Sequence, residues 1–145
     1  MKRFLYFAIA AAVIGIASEQ HSCAAPNVTL PSTAAEWSLA APQECAKHTL
    51  AGLQVWGGTS GAREVCRATY SGSPEMALTL YDMPESPGAT AFDALQKWRI
   101  QPGKMAFYKG GYFGVVESAG AHKNALNRFT MAVEAFLPPG DEGRW

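Results

Sequence analysis

Residues 65–81 read Val-Cys-Arg-Ala-Thr-Tyr-Ser-Gly-Ser-Pro-Glu-Met-Ala-Leu-Thr-Leu-Tyr, and the fold turns on how they pair. Val65, Arg67 and Thr69 alternate with Cys66, Ala68 and Tyr70, the period-two pattern of a half-buried strand. Ser71-Gly72-Ser73-Pro74 has the composition of a turn, and Met76 to Tyr81 reads as the partner strand. So short a connection predicts an antiparallel hairpin.

Outward from this hairpin the order repeats. Ser86-Pro87 offers a helix start, with Thr90 as an alternative cap. Ala91, Phe92, Leu95 and Trp98 fall at helical spacing before Gln101-Pro102-Gly103 stops the run. A second hairpin is expected from Met105 to Tyr108 and Tyr112 to Glu117, joined by Lys109-Gly110-Gly111, where the glycines permit the positive φ of a tight turn. A last helix follows, with Leu126, Phe129, Val133, Phe136 and Leu137 as its apolar stripe and Lys123, Asn127, Arg128 and Glu134 off it. Pro138-Pro139 ends that helix, and residues 139–145 read as a loose tail. Upstream, residues 26–41 read as an extended lead-in around Trp37, and Pro42 to Leu53 as a short helix. Gly57-Gly58-Thr59-Ser60-Gly61 reads as a flexible break. Strand-strand-helix, repeated once, predicts an α+β fold over residues 42–138. It would be a two-layer sandwich whose four-stranded antiparallel sheet carries both helices on one face.

The N-terminus reads as an address. Lys2 and Arg3 precede an uncharged run from Phe4 to Ala17 that is short of the ~20 apolar residues a membrane-spanning helix needs, so residues 1–25 read as a secretory signal. Cleavage after Ala17 or Ser18, or after Ala24 or Ala25, fits the small residues there. The later site removes Cys23 and leaves Cys45 and Cys66 as an even pair in an oxidising compartment. On this reading the protein is exported to the periplasm or the bacterial cell exterior, and it meets the membrane only through the signal segment if that stays uncut.

The 145 residues carry 12 Lys and Arg against 12 Asp and Glu, a zero net charge with no basic cluster. That composition excludes a nucleic-acid partner held by phosphate neutralisation. It also excludes a wholly disordered chain, since 48% of residues are hydrophobic.

Cys45 and Cys66 read as a disulfide tying the leading segment to the first strand. A metal site with His48 and a catalytic thiol are the alternatives, but a closed zinc site wants four ligands and no fourth is visible. No metal or cofactor is therefore expected. A hydrolase would need His48 or His122 with a nearby carboxylate or Ser60. Ser60 lacks the nucleophile-elbow setting, and its loop lacks the ending of a phosphate-binding loop. The carboxylate pairs Asp82 with Glu85, and Glu64 with Glu75, could serve a glycosidase, although turn roles suit them as well. Aromatic rings form the other candidate. Tyr112 and Phe113 must point to opposite faces, as must Phe107 and Tyr108. With helices on one face only, Tyr108, Tyr112 and Phe113 together with Trp56 would supply an exposed binding surface. Its partner would be an envelope protein or a small apolar or sugar ligand.

The stretches Leu78-Thr-Leu-Tyr-Asp-Met-Pro, Ala89-Thr-Ala-Phe-Asp-Ala-Leu-Gln and Phe107-Tyr-Lys-Gly-Gly-Tyr-Phe, with the last amphipathic helix, resemble a group of small exported bacterial proteins catalogued as a domain of unknown function. The likeness spans Leu78 to Leu137. It implies an exported bacterial protein with an α+β domain, and brings no activity or catalytic residue with it. Two functions follow as expectations: a non-catalytic binding or assembly module of the cell envelope, or a small secreted hydrolase.

Overall fold

The computed structural model describes residues 26–47, 53–55 and 58–145. His48 and Trp56 fall outside them, as do residues 1–25. The central hairpin forms as its alternation requires: β6 (Glu64–Ser71) pairs antiparallel with β7 (Met76–Asp82), Val65 opposite Tyr81 and Tyr70 opposite Met76. Five shorter strands precede it in the chain. These are β1 (Thr33–Ala34), β2 (Trp37–Leu39), β3 (Glu44–Lys47), β4 (Leu53–Val55) and β5 (Gly58–Ala62).

The second hairpin, β8 (Lys104–Lys109) and β9 (Tyr112–Glu117), also forms as expected, with Lys109 opposite Tyr112 and Gly110 at φ +54° in the two-residue turn. Helix α1 (Ala91–Lys97) starts at Thr90 rather than at Ser86. The Thr90 hydroxyl accepts from the Asp93 N–H while the Asp93 carboxylate accepts from the Thr90 N–H, a reciprocal cap that satisfies two otherwise orphaned donors. Helix α2 (Lys123–Glu134) buries Leu126, Phe129 and Val133, while Phe136, just past its end, is exposed.

The expected two-layer sandwich is not the fold. The described residues form a curled sheet of eight antiparallel strands, a half-barrel with two short helices. Its order is β1-β2-β6-β7-β9-β8-β10, with β3 also paired to β6, and β10 (Glu142–Arg144) closes the far edge. The four expected strands are its centre, and four more were hidden. Glu44 to Lys47 has helix-forming residues, yet it lies as an edge strand with Cys45 opposite Cys66, because sheet pairing overrides a weak local preference. The lead-in contains the β1–β2 hairpin. Gly58 to Gly61 of the glycine-rich stretch lie in strand β5, paired with β4 in a separate two-stranded sheet. The expected loose tail supplies β10, paired with β8 and anchored by the Trp145 N–H to the Ala106 carbonyl at 2.9 Å.

The helices also lie on opposite faces. One face packs Tyr70, Met76, Leu78, Leu80, Phe107 and Val116 against Trp37 and the Leu126–Phe129–Val133 stripe of α2. The other packs Val65, Tyr81, Phe113 and Val115 against Ala91, Leu95 and Trp98 on and beside α1. Each face therefore has its own core. Phe129 anchors the first, meeting Trp37 edge-on at 5.7 Å and Tyr70 at 5.0 Å.

Candidate functional site

Directly opposed residues of neighbouring strands share a face, so the register sorts side chains into rows across the sheet. At one end of the sheet a single row is polar from edge to edge. Lys47 opposes Glu64, Glu64 opposes Asp82, Asp82 opposes Tyr112, Tyr112 opposes Lys109, and Lys109 opposes Glu142. Two residues further along each strand, on the same face, the row is Cys45, Cys66, Leu80, Gly114, Phe107 and Arg144. The intervening row, on the α1 face, is Ala46, Val65, Tyr81, Phe113, Tyr108 and Gly143.

Glu64 and Asp82 are the buried centre of the polar row. The Asn27 backbone N–H donates to Glu64 Oε1 at 2.8 Å, and Asn27 Nδ2 donates to Asp82 Oδ2 at 2.7 Å. Arg63 donates to Asp82 Oδ1 at 2.9 Å and to the Met83 carbonyl at 3.2 Å. Lys47 Nζ lies 3.6 Å from Glu64 Oε2, an oxygen that is buried without a hydrogen-bond donor. Burial raises the Tyr112 phenol above its ordinary range, and the negative Asp82 and Glu64 push it further while Arg63 opposes them. A second polar knot sits at the other end of the row. Lys109 Nζ donates to the Glu134 carbonyl at 2.9 Å and lies 3.5 Å from Glu142, and Arg144 donates to the buried Glu134 Oε2 at 2.8 Å.

The sulfurs of Cys45 and Cys66 are joined at a sequence separation of 21. They and a Glu64 oxygen fall within 4.8 Å of one another, a donor set that could hold a metal only as thiolates. Joined as a disulfide, the sulfurs tie β3 to β6 instead. Gln43 fastens the same corner: its side-chain oxygen accepts from the Leu30 N–H and its Nε2 donates to the Val28 carbonyl.

The aromatic residues singled out from sequence are dispersed. Tyr112 stands half-buried in the polar row, whereas Phe113 points to the other face, where it is 0% exposed and stacks on Tyr81 at 5.7 Å. Tyr108 is half-buried and meets Phe92 of α1 edge-on at 5.5 Å. An exposed face made of Tyr108, Tyr112 and Phe113 is thus corrected by α1, which covers the side expected to be bare. Gly114 explains how Phe107 fits the opposite face, since a Cβ there would lie 2.3 Å from its ring.

The carboxylates also regroup. Glu75 lies beside the turn of the first hairpin and Glu64 at its open end, so Glu64 faces Asp82 and not Glu75. Sequence alone pairs Glu64 with Glu75 and Asp82 with Glu85 because it sets no register for the hairpin. Asn27 carried no signal. His122 is the exposed N-cap residue of α2, with no hydrogen bond from its side chain to the helix. Ser60 belongs to β5, and His48 lies outside the described residues. The described residues thus do not bring together the histidine, carboxylate and serine that a hydrolase would use.

Large apolar side chains reach solvent elsewhere. Ile100 is 75% and Trp145 53% exposed, and they line one shallow groove with Gln96, Trp98 and Arg99. Phe92, half-exposed, lies on the same helix-covered face.

The arrangement defines a small antiparallel half-barrel tied by a cross-strand disulfide, with a polar row along one rim. Compared with protein-family models, curated proteins and solved structures, the chain finds no match. The disulfide is consistent with an exported protein. No helix among the described residues is long and apolar enough to cross a membrane.

Proposed function

We propose that the protein is an exported, non-catalytic binding or assembly module of the bacterial cell envelope. The observation that carries this reading is the groove where Ile100 and Trp145 stand exposed beside Arg99. Both apolar cores are already covered by their own helices, so these side chains are surplus to folding and free to meet a partner. An apolar floor with one cation at its rim suits an envelope protein, or a small apolar or sugar ligand that stacks on indole.

Two assays test the reading. Cross-linking in the envelope of a producing bacterium samples protein partners, and Trp fluorescence with soluble oligosaccharides samples sugars. Ile100→Asp is expected to weaken any such binding at least ~10-fold while leaving stability within about 0.5 kcal/mol, as for most exposed positions. Binding unchanged in Ile100→Asp and Trp145→Ala would remove the groove from the reading. Turnover of ester, peptide or glycoside substrates that depends on His122 would favour the secreted hydrolase instead.

A further inference from the structure

Asn27 is held at the Glu64–Asp82 pair by its backbone N–H as well as its side chain, so the chain just ahead of it is fixed in place. Residue 26 is a proline, exposed at the surface, and within a continuous chain its nitrogen carries no hydrogen. Of the two cleavage sites the sequence offers, the later one, after Ala24 or Ala25, falls here. We infer that the Glu64–Asp82 pair is the seat of the amino terminus that leader removal creates, so that processing sets a positive charge close to two carboxylates. This rests on the export reading above.

Reach and charge both support the seat. Consecutive backbone nitrogens are at most ~4 Å apart. With Asn27 N at 2.8 Å from Glu64 Oε1, an α-nitrogen on Pro26 stands within about 7 Å of that carboxylate. Glu64 is 1% exposed, and its Oε2 has no hydrogen-bond donor, although Lys47 Nζ stands 3.6 Å from it, so a second nearby cation acts on a carboxylate that water does not solvate. In the uncut chain residue 26 offers that oxygen neither charge nor donor. Cut before it, the same nitrogen is an ammonium with two N–H groups. The charged and titratable groups around the seat are Glu64 of β6, Asp82 of β7, Tyr112 of β9, Lys47 of β3 and Arg63. The carboxylates favour the ammonium, and Lys47 and Arg63 oppose it.

The pH dependence follows from that balance. A free α-amino group titrates near ~7.7–8.0, and an ammonium held by the pair titrates higher in the folded state. Its stabilisation is therefore complete below the ordinary value and is lost as pH rises through the raised one. The test compares chains beginning at Ala25 and at Pro26, each released from a removable carrier protein, with the same chains preceded by Gly-Ser. At low salt and pH 6.5 the native starts are expected to melt about 2–4 °C higher. The gap should close at pH 10, in Glu64→Gln, and after cyanate carbamylation of the α-amine, which leaves the core untouched. Equal melting of native and extended starts at pH 6.5, or a gap that persists after carbamylation, would overturn the seat. Separately, the intact mass of the exported protein reports the start used in the cell. A mass that retains the leader, with Cys45 and Cys66 open to a thiol reagent before reduction, would overturn the export reading, whatever the melting comparison shows.

Discussion

The two flanks of the central sheet are fastened by different chemistry. On one flank β3 is joined to β6 by the Cys45–Cys66 bridge, and Gln43 bonds to the backbone of residues 28 and 30. On the other, β10 is held to β8 and α2 by backbone pairing and by charges, Arg144 on Glu134 and Lys109 against Glu142. The first tie persists whatever the pH, and only reduction undoes it. The second contains a buried carboxylate, Glu134, whose ionisation burial disfavours, so its strength varies with pH. Short edge strands bury too little to hold themselves, so each needs a tie of its own.

The largest expected effect breaks the covalent flank. Cys45→Ser should cost about 3 kcal/mol in chemical denaturation by the loop-entropy estimate for the separation of 21. Reduction of the wild-type protein by a dithiol should reproduce most of that loss. A variant as stable as the wild type would show that β3 is held by pairing and by Gln43 alone.

A smaller effect sharpens the charged flank. Arg144→Ala removes a charged hydrogen bond and should cost about 2 kcal/mol. Glu134 reports the same tie by its titration. Burial lifts its carboxyl above the ordinary range and Glu142 adds to this, whereas Arg144 and Lys109 pull it down. Between the ordinary and the raised value the folded protein holds a proton that the unfolded chain has released. This contribution to stability is therefore present at the acid end and is lost as pH rises through the raised value. Glu134→Gln should accordingly gain on the wild type as pH rises from about 4 to 7. A stability difference that stays flat across that range would remove Glu134 as the titrating element of this flank.

The smallest effect lies in the β1–β2 hairpin beside the disulfide-tied strand. Ala35 occupies its turn at φ +51°, a left-handed conformation that costs an alanine roughly 1 kcal/mol and a glycine little. Ala35→Gly should raise stability by about 0.5 kcal/mol after its greater unfolded-state entropy is counted. A loss in thermal melting would mean that the alanine methyl contributes packing that outweighs the backbone cost.

How legible the molecule was follows from where the information lies. The two hairpins could be read because alternation and turn residues act over a few positions, as in Val65 to Tyr81 and around Gly110-Gly111. The cap at Thr90 and the stripe of α2 are local too, although Glu134 was placed off that stripe and is buried beneath Arg144. The edge strands could not be read in the same way. Glu44 to Lys47 is a strand only because β6 offers a free edge, and Glu142 to Arg144 only because β8 does. The site was legible in part. The disulfide followed from cysteine parity, whereas the Glu64–Asp82 pairing emerged only with the hairpin register, the sequence having paired Glu64 with Glu75 and Asp82 with Glu85. Asn27, the residue that bonds to both carboxylates, gave no sign, since a polar residue in an extended segment carries no periodic signal.

By itself, then, the sequence determined the four central strands, both helices, the opposed directions of Tyr112 and Phe113, and the cysteine pair, all set by short-range periodicity, turn chemistry and parity. Only the tertiary structure decided that α1 and α2 cover opposite faces, that four further strands extend the sheet, and that one row of it is polar from Lys47 to Glu142. Those features depend on which surface a distant segment finds unpaired, and burial of that surface, rather than local preference, sets the outcome.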